Sequence, residues 1–288
     1  MDNAKTANNA PNDPLIITDN KDGKKYYGGD QSWFDKNTRA YAGCGVVAGV
    51  NVLRTLMQRD SSIKTDVGED LKIMKKSDIS RDEYTGLMNK MYKKMLVYEI
   101  PGINMIYNAS KRGSKLFKVF IPSFGMSPDG FIRGVLKFAK DNGILLHSHS
   151  IATAFQSYEK GLSFIKEGLE KSGAVVIMTS FNKHPLKLYP KPDDKKNASN
   201  TSMKSHFATI TEILYNDGGD PVLKLSTWGK MATVTYKELY ETWQKRCAYT
   251  STLFYFTRAE SDAVYRADRR RAILTLLKCI KQTVLKRA

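Results

Sequence analysis

Cys44 is the side chain best placed to act as a nucleophile. It stands at the mouth of the apolar run Gly43-Cys44-Gly45-Val46-Val47-Ala48-Gly49-Val50-Asn51-Val52-Leu53. A free thiol, with a pKa of about 8.5, is mostly protonated at neutral pH, and the unsatisfied N–H groups of a helix start favour the thiolate. Gly43 and Gly45 carry no Cβ, which leaves room for a substrate to approach the sulfur. The competing reading is a small buried hydrophobe that fills core. Position alone does not separate the two.

A thiolate nucleophile needs a base, a group that orients the base, and donors for the oxyanion. The four histidines are His147, His149, His184 and His206. His206 heads an apolar strand after a long polar loop, so its imidazole can face a cleft while the following residues hold the sheet. His184 precedes Pro185 in that loop. His147 and His149 share one face of a short strand, but no third ligand lies at a suitable spacing and no metal is expected. The turn cluster Asn216-Asp217-Gly218-Gly219-Asp220 folds Leu225–Gly229 back beside the start of the His206 strand. Cross-strand neighbours lie within about 5–8 Å, so Ser226, Thr227 and Trp228 fall near His206. A hydroxyl there can accept the imidazole N–H, and Trp228 can either shield that bond or serve as a plain core aromatic.

The elements that must position these groups follow from periodicity and capping. A helix is predicted from Cys44 to about Arg59, burying Val46, Val50, Leu53 and Met57. A second starts at the capping box Ser80/Glu83 and runs to about Glu99, with its methionines as core. Helices over 128–142, closed by Gly143, and from about Phe155 to Lys171, closed by Gly173, follow. Strands are predicted at 144–149, 174–179, 206–214, 222–226 and 253–256, and Thr235 with Glu238 caps one more helix. The stretch from Pro185 to Met203 reads as a surface loop. Helices come first (about 44–171) and antiparallel strands after, an α+β plan. Residues 1–24 are expected to be a disordered polar segment, 25–257 one domain, and 258–288 a basic amphipathic helix with Ile273, Leu277, Ile280 and Val284 on one stripe.

Three widely spaced cysteines (Cys44, Cys247, Cys279) support neither a disulfide framework nor a metal site. The first residues show no apolar leader, and no stretch approaches a membrane span. A cytoplasmic setting is expected, or export without a cleaved signal. Lys and Arg number 46 against 29 Asp and Glu, a net charge of +17 that attracts nucleic acid, anionic surfaces and acidic proteins nonspecifically. The excess concentrates in Lys111–Lys118 and in 258–288. The latter has little aromatic interleaving, so a base-stacking platform is poorly supported.

Together these segments carry a resemblance. Gly43-Cys44-Gly45 opening a helix resembles the nucleophile segment of papain-like cysteine peptidases, and the bacterial branch with the Gly-Cys-Gly start most of all. Gly173-Ala174-Val175-Val176-Ile177 resembles the strand before the family's catalytic histidine, and Ser205-His206-Phe207-Ala208-Thr209-Ile210 the histidine strand itself. Leu225-Ser226-Thr227-Trp228-Gly229-Lys230 resembles the strand where the family places Asn, then Ser-Trp-Gly. Asp30-Gln31-Ser32-Trp33-Phe34 supplies a glutamine like the family's oxyanion donor. The likeness spans about residues 30–256.

That resemblance implies a papain-like α+β fold and a site made of Cys44, His206, Ser226 and Gln31, shielded by Trp228, with no cofactor. It departs from the pattern twice: Ser226 stands where the family has Asn, and Gln31 lies further from the cysteine than usual. The third group is therefore Ser226, another polar group, or absent in a Cys–His dyad. The implied reaction is thiol-dependent hydrolysis of peptide or isopeptide bonds in a protein or peptide substrate. Two rivals stand beside it: a glutamine deamidase or acyl transferase using the same pair, and a catalytically inactive basic binding protein.

Overall fold

A computed structural model describes residues 13–61, 63, 67–95, 126–152, 156–179, 186–191, 202–203, 206–244 and 252–267. In chain order these form β1 (Ile16–Thr18), β2 (Lys25–Tyr27), a 3₁₀ turn (Gln31–Trp33), α1 (Asn37–Ala42), α2 (Cys44–Arg59), α3 (Glu69–Lys75) and α4 (Arg81–Tyr92). Then come α5 (Pro128–Asp141), β3 (Leu146–Ala152), α6 (Tyr158–Ser172), β4 (Val175–Thr179), β5 (Leu186–Lys187) and β6 (Ser202–Met203). The chain continues with β7 (His206–Tyr215), β8 (Pro221–Thr227), β9 (Lys230–Thr235), α7 (Tyr236–Gln244) and β10 (Thr252–Arg258).

The fold is mixed α and β around a six-stranded antiparallel sheet, in the order β3-β10-β4-β7-β8-β9. Alternate residues along each strand face opposite ways, and both faces are covered. Val176, Phe207, Phe254 and Phe256 join the core beneath α2, α4 and α5. Val175, Ile177, Ala208, Leu253 and Tyr255 pack with Ile165 of α6 and Leu239 and Trp243 of α7. This explains why Val175-Val176-Ile177 reads as an unbroken apolar run. It also refines the expected plan, in which a helical half lay against a β half: α6 and α7 add a second helical layer on the far face.

Capping fixes the ends of the helices. Ser80 accepts from the Glu83 amide and Glu83 returns a bond to the Ser80 amide, the expected reciprocal box. Gly173 closes α6 at φ 77°, a conformation that costs a glycine little. Thr235 accepts from the Glu238 amide at 3.2 Å at the start of α7.

Four expectations need correction or restriction. The stretch from Pro185 to Met203, read as a surface loop, carries the β5–β6 pair and buries Leu186, Leu188 and Met203 in the core. Residues 13–24, taken as part of a disordered segment, carry β1, whose partner is β2, and Leu15 and Ile17 are fully buried. The short apolar run Leu15-Ile16-Ile17 was enough to anchor that strand. Tyr26 and Tyr27, for which no strand was predicted, belong to β2. In the basic tail, 262–267 is helical and Tyr265 is 2% exposed beneath Lys140. The remainder, 268–288, lies outside the described residues, as do 1–12, the Lys111–Lys118 cluster, His184, Cys247 and Cys279.

Candidate active site

Cys44 is the first residue of α2, as expected, but the helix start is not free-standing. The short helix α1 runs straight into it, broken only at Gly43. The two flanking glycines serve the protein rather than an incoming ligand. A Cβ on Gly43 would lie 2.5 Å from the Arg39 carbonyl oxygen and 2.5 Å from the Phe34 ring, and one on Gly45 3.1 Å from the Met126 sulfur. The reading of both as clearance for a substrate is therefore corrected: the space is occupied by the fold.

His206 is the first residue of β7. Its backbone N–H donates to Thr179 Oγ1 at 3.2 Å, locking the strand start against β4. Its ring is held from two sides. Nε2 lies 2.7 Å from Thr227 Oγ1, and the indole of Trp228 stacks on the imidazole with centroids 4.2 Å apart and planes 21° from parallel. Trp228 thus lies against one face of the imidazole.

The hydroxyl in hydrogen-bond contact with the imidazole is that of Thr227 and not that of Ser226. A hairpin folded symmetrically about Gly218 would bring Ser226 to the His206 face. The ladder instead shifts by one residue between Ile210 and Glu212, so that Thr209 pairs with Ser226. A bulge of this kind exchanges the two faces of everything beyond it. Thr227 is thereby turned to the imidazole, and Ser226 is turned toward α2. There Ser226 Oγ donates to the Tyr27 carbonyl at 2.8 Å and accepts from Asn51 Nδ2 at 3.1 Å.

Gln31 opens the 3₁₀ turn, whose cap is Asp30 accepting from the Ser32 amide at 2.8 Å. The turn between β8 and β9 is tied to the same segment, with Gly229 N–H donating to the Gly29 carbonyl at 2.9 Å. The Gln31 side-chain amide donates to the Tyr41 carbonyl at 3.4 Å. These ties bring Gln31, Cys44, His206, Thr227 and Trp228 to the wall of one small crevice, with a volume of about 10 Å³.

Burial sets the resting protonation. Cys44 is 7% exposed and His206 6% exposed. Desolvation pushes the Cys44 thiol up, against backbone N–H groups of Phe207, Gly45 and Cys44 that face the sulfur and favour the thiolate. Desolvation also pushes His206 down to about 3. Both shifts favour the neutral forms, a protonated thiol and an uncharged imidazole.

His147 and His149 sit on the sheet-edge strand β3, away from the crevice. Their rings meet edge-on at 4.2 Å, and His149 stacks on Tyr255 at 4.3 Å while its Nε2 meets Thr257 Oγ1 at 3.0 Å. Among the described residues no group of three or more His, Cys, Asp or Glu side chains could hold a metal ion. No described helix is long and apolar enough to cross a membrane.

Sequence reasoning missed the role of Asn51 and Tyr84. Both are fully buried, and Tyr84 OH donates to Asn51 Oδ1 at 2.5 Å. The available signal was an Asn within the apolar first half of the helix, seven residues after the cysteine and ahead of the buried Arg54 and Thr55.

No protein-family model and no curated relative matches the chain. Among solved structures, SERA5E from Plasmodium falciparum is similar with a TM-score of 0.30 at 12% identity, over 76% of this chain and 88% of that one. A likeness at that level carries no weight for fold or activity, which are argued from the residues themselves.

Proposed function

We propose that the chain is a papain-like thiol hydrolase that cleaves peptide or isopeptide bonds. The observation that carries this reading is the crevice shared by Cys44 and His206, with Thr227 and Trp228 fixing the imidazole from its far side. Thr227 occupies Nε2 and so leaves Nδ1 as the nitrogen for the thiol proton. A threonine hydroxyl takes the place of the carboxamide that the resemblance led one to expect.

The reaction then follows. His206 takes the Cys44 proton as the sulfur attacks the amide carbonyl, and the carbon–oxygen π pair moves onto oxygen. That oxyanion is met by the Cys44 backbone N–H and by the Gln31 side-chain amide, which exchanges the Tyr41 carbonyl for it. The imidazolium protonates the departing amine as the carbon–nitrogen bond breaks. Water, deprotonated by the same imidazole, hydrolyses the thioester to a carboxylic acid and restores the thiol. The excess of positive charge favours acidic protein substrates.

The test compares wild type with Cys44→Ala and His206→Ala on a set of acidic protein and isopeptide-linked substrates, read by mass spectrometry. Fragment release lost in both variants supports hydrolysis. Side-chain amide converted to acid, or to a new amide, without fragments would assign the same pair to deamidation or acyl transfer. Undiminished turnover by Cys44→Ala, or no wild-type turnover with Cys44 alkylated no faster than Cys247 and Cys279, would sink the enzyme reading and leave a binding protein.

A further inference from the structure

The nucleophile helix and the histidine strand are joined by one buried carboxamide. Asn51 lies seven residues beyond Cys44, two turns of α2, on the same crevice-facing side, at a rise of about 10.5 Å. Its side chain is fully buried and uses its whole bonding capacity. Nδ2 donates to Thr209 Oγ1 at 3.3 Å and to Ser226 Oγ at 3.1 Å. Oδ1 accepts from Tyr84 OH at 2.5 Å and from the Gly29 amide at 3.4 Å. The Gly29 N–H can only donate, which fixes the oxygen toward Gly29 and Tyr84 and the NH₂ toward the sheet.

Each partner is a short step from the reacting groups. Thr209 is three residues along β7 from His206. Ser226 adjoins Thr227, the imidazole's hydroxyl partner. Gly29 precedes Gln31 by two residues and bonds the turn that carries Trp228. The fit around this centre is tight: a Cβ on Gly28 would lie 2.0 Å from Ser226 Oγ and 2.8 Å from Asn51 Nδ2. A buried polar group satisfied on all sides holds its neighbours to a single arrangement, because each displacement strands a donor or acceptor.

We propose that Asn51 is a positioning residue for Cys44 and His206, clamping α2 to β7, β8 and the Gly29 segment so that thiol and imidazole keep a working separation. The proposal rests on the thiol-hydrolase reading above. A purely structural buried Asn would affect stability alone; a positioning Asn affects the pair specifically.

The experiment is a double-mutant cycle on the full-length protein, using Cys44 alkylation by iodoacetamide as the readout. Alkylation is followed by mass spectrometry at pH 6, with the melting temperature of every variant measured and all rates taken well below it. Asn51→Ala is expected to slow alkylation on the order of tenfold when His206 is present, since small misplacements of a base carry large rate penalties. In the His206→Ala background the same change is expected to matter by no more than about twofold. Ser226→Ala, which removes one arm of the clamp, gives a smaller loss of the same kind and serves if Asn51→Ala does not fold. Equal slowing in both backgrounds, or no slowing by either clamp variant, overturns the positioning role while leaving the Cys–His reading intact. If His206→Ala itself leaves wild-type alkylation unchanged, the pair is not coupled, and both the clamp and the hydrolase reading fall.

Discussion

Trp228 lies over the His206 imidazole at a centroid distance of 4.2 Å while its own backbone holds a φ of +50°. Gly229 follows at +67°, so the two residues make the turn between β8 and β9 with both φ values positive. A two-residue hairpin wants that geometry and usually fills it with Asn-Gly. A tryptophan in the left-handed region costs roughly 1–2 kcal/mol. Strain of this size persists where the surroundings over-determine it, and here they do: the turn is pinned to Gly29 and the indole to the imidazole.

Replacing Trp228 should therefore separate strain from shielding. Trp228→Gly relieves the backbone and removes the stack, so global stability measured by urea unfolding is expected to change by less than about 1 kcal/mol, the two terms opposing each other. The His206 ring, opened to water, is expected to titrate well above its resting value of about 3, toward the ordinary histidine range. Imidazole chemical shifts followed by NMR against pH report this directly. An unmoved titration would show that burial by other groups, and not the indole, keeps the ring neutral.

Thr227 and Ser226 offer a paired comparison. Thr227→Val keeps the shape and deletes the hydroxyl, leaving buried Nε2 without its partner at a cost of about 1–3 kcal/mol. Amide hydrolysis and Cys44 alkylation are both expected to fall, and Thr227→Ser, which retains the oxygen, is expected to recover most of each. If Ser226→Ala depresses the rates more than Thr227→Val, the hydroxyl assignment is reversed.

That exchange shows what the sequence could and could not carry. The nucleophile helix, its capped neighbours and the strand pairs followed from apolar spacing and from Ser80/Glu83, Gly173 and Thr235/Glu238, because those signals are local. The position of the turn at Asn216–Asp220 was also local, and it brought Ser226 and Thr227 near His206. Which of them faces the ring depends on one extra residue in β7 between Ile210 and Glu212. That bulge is sustained by a distant contact, Thr211 Oγ1 with Tyr27 OH at 2.9 Å, which no spacing rule encodes. β1 was lost because it is three residues long and its one buried side chain, Ile17, gains meaning only from the core it joins.

The neutral imidazole makes stability depend on pH. Folded His206 titrates at about 3, below the value of about 6.5 of an unfolded histidine. Between these values the unfolded chain binds more protons, so stability falls as pH falls through that window. Lowering pH from 6.5 to 5 is expected to remove about 2 kcal/mol on this account. Asp129 acts in the opposite sense, since burial raises its carboxyl to about 6 and the folded state there takes up protons as pH falls. The contribution of His206 is isolated as the difference between wild type and His206→Gln in urea unfolding across pH 4.5–7. A pH-independent difference would mean that the folded imidazole titrates as it does in the unfolded chain.

Gly23 and Gly28 adopt nearly the same backbone, φ +70° and +74°, in different surroundings. A Cβ on Gly23 meets nothing within 4 Å, whereas one on Gly28 would meet the Ser226 hydroxyl and the Asn51 carboxamide. Gly23→Ala should therefore cost only the left-handed penalty of about 1–2 kcal/mol and leave Cys44 alkylation unchanged. Gly28→Ala carries the same penalty and in addition forces the Tyr27–Gly29 segment away from the clamp. It should lose several kcal/mol in all, in the range of overpacked cores, and slow Cys44 alkylation in proportion to the disturbance of Asn51. Equal stability losses for the two variants would place the Gly28 segment further from Ser226 than the structure has it, and would remove one of the arms by which the helix and the sheet are held together.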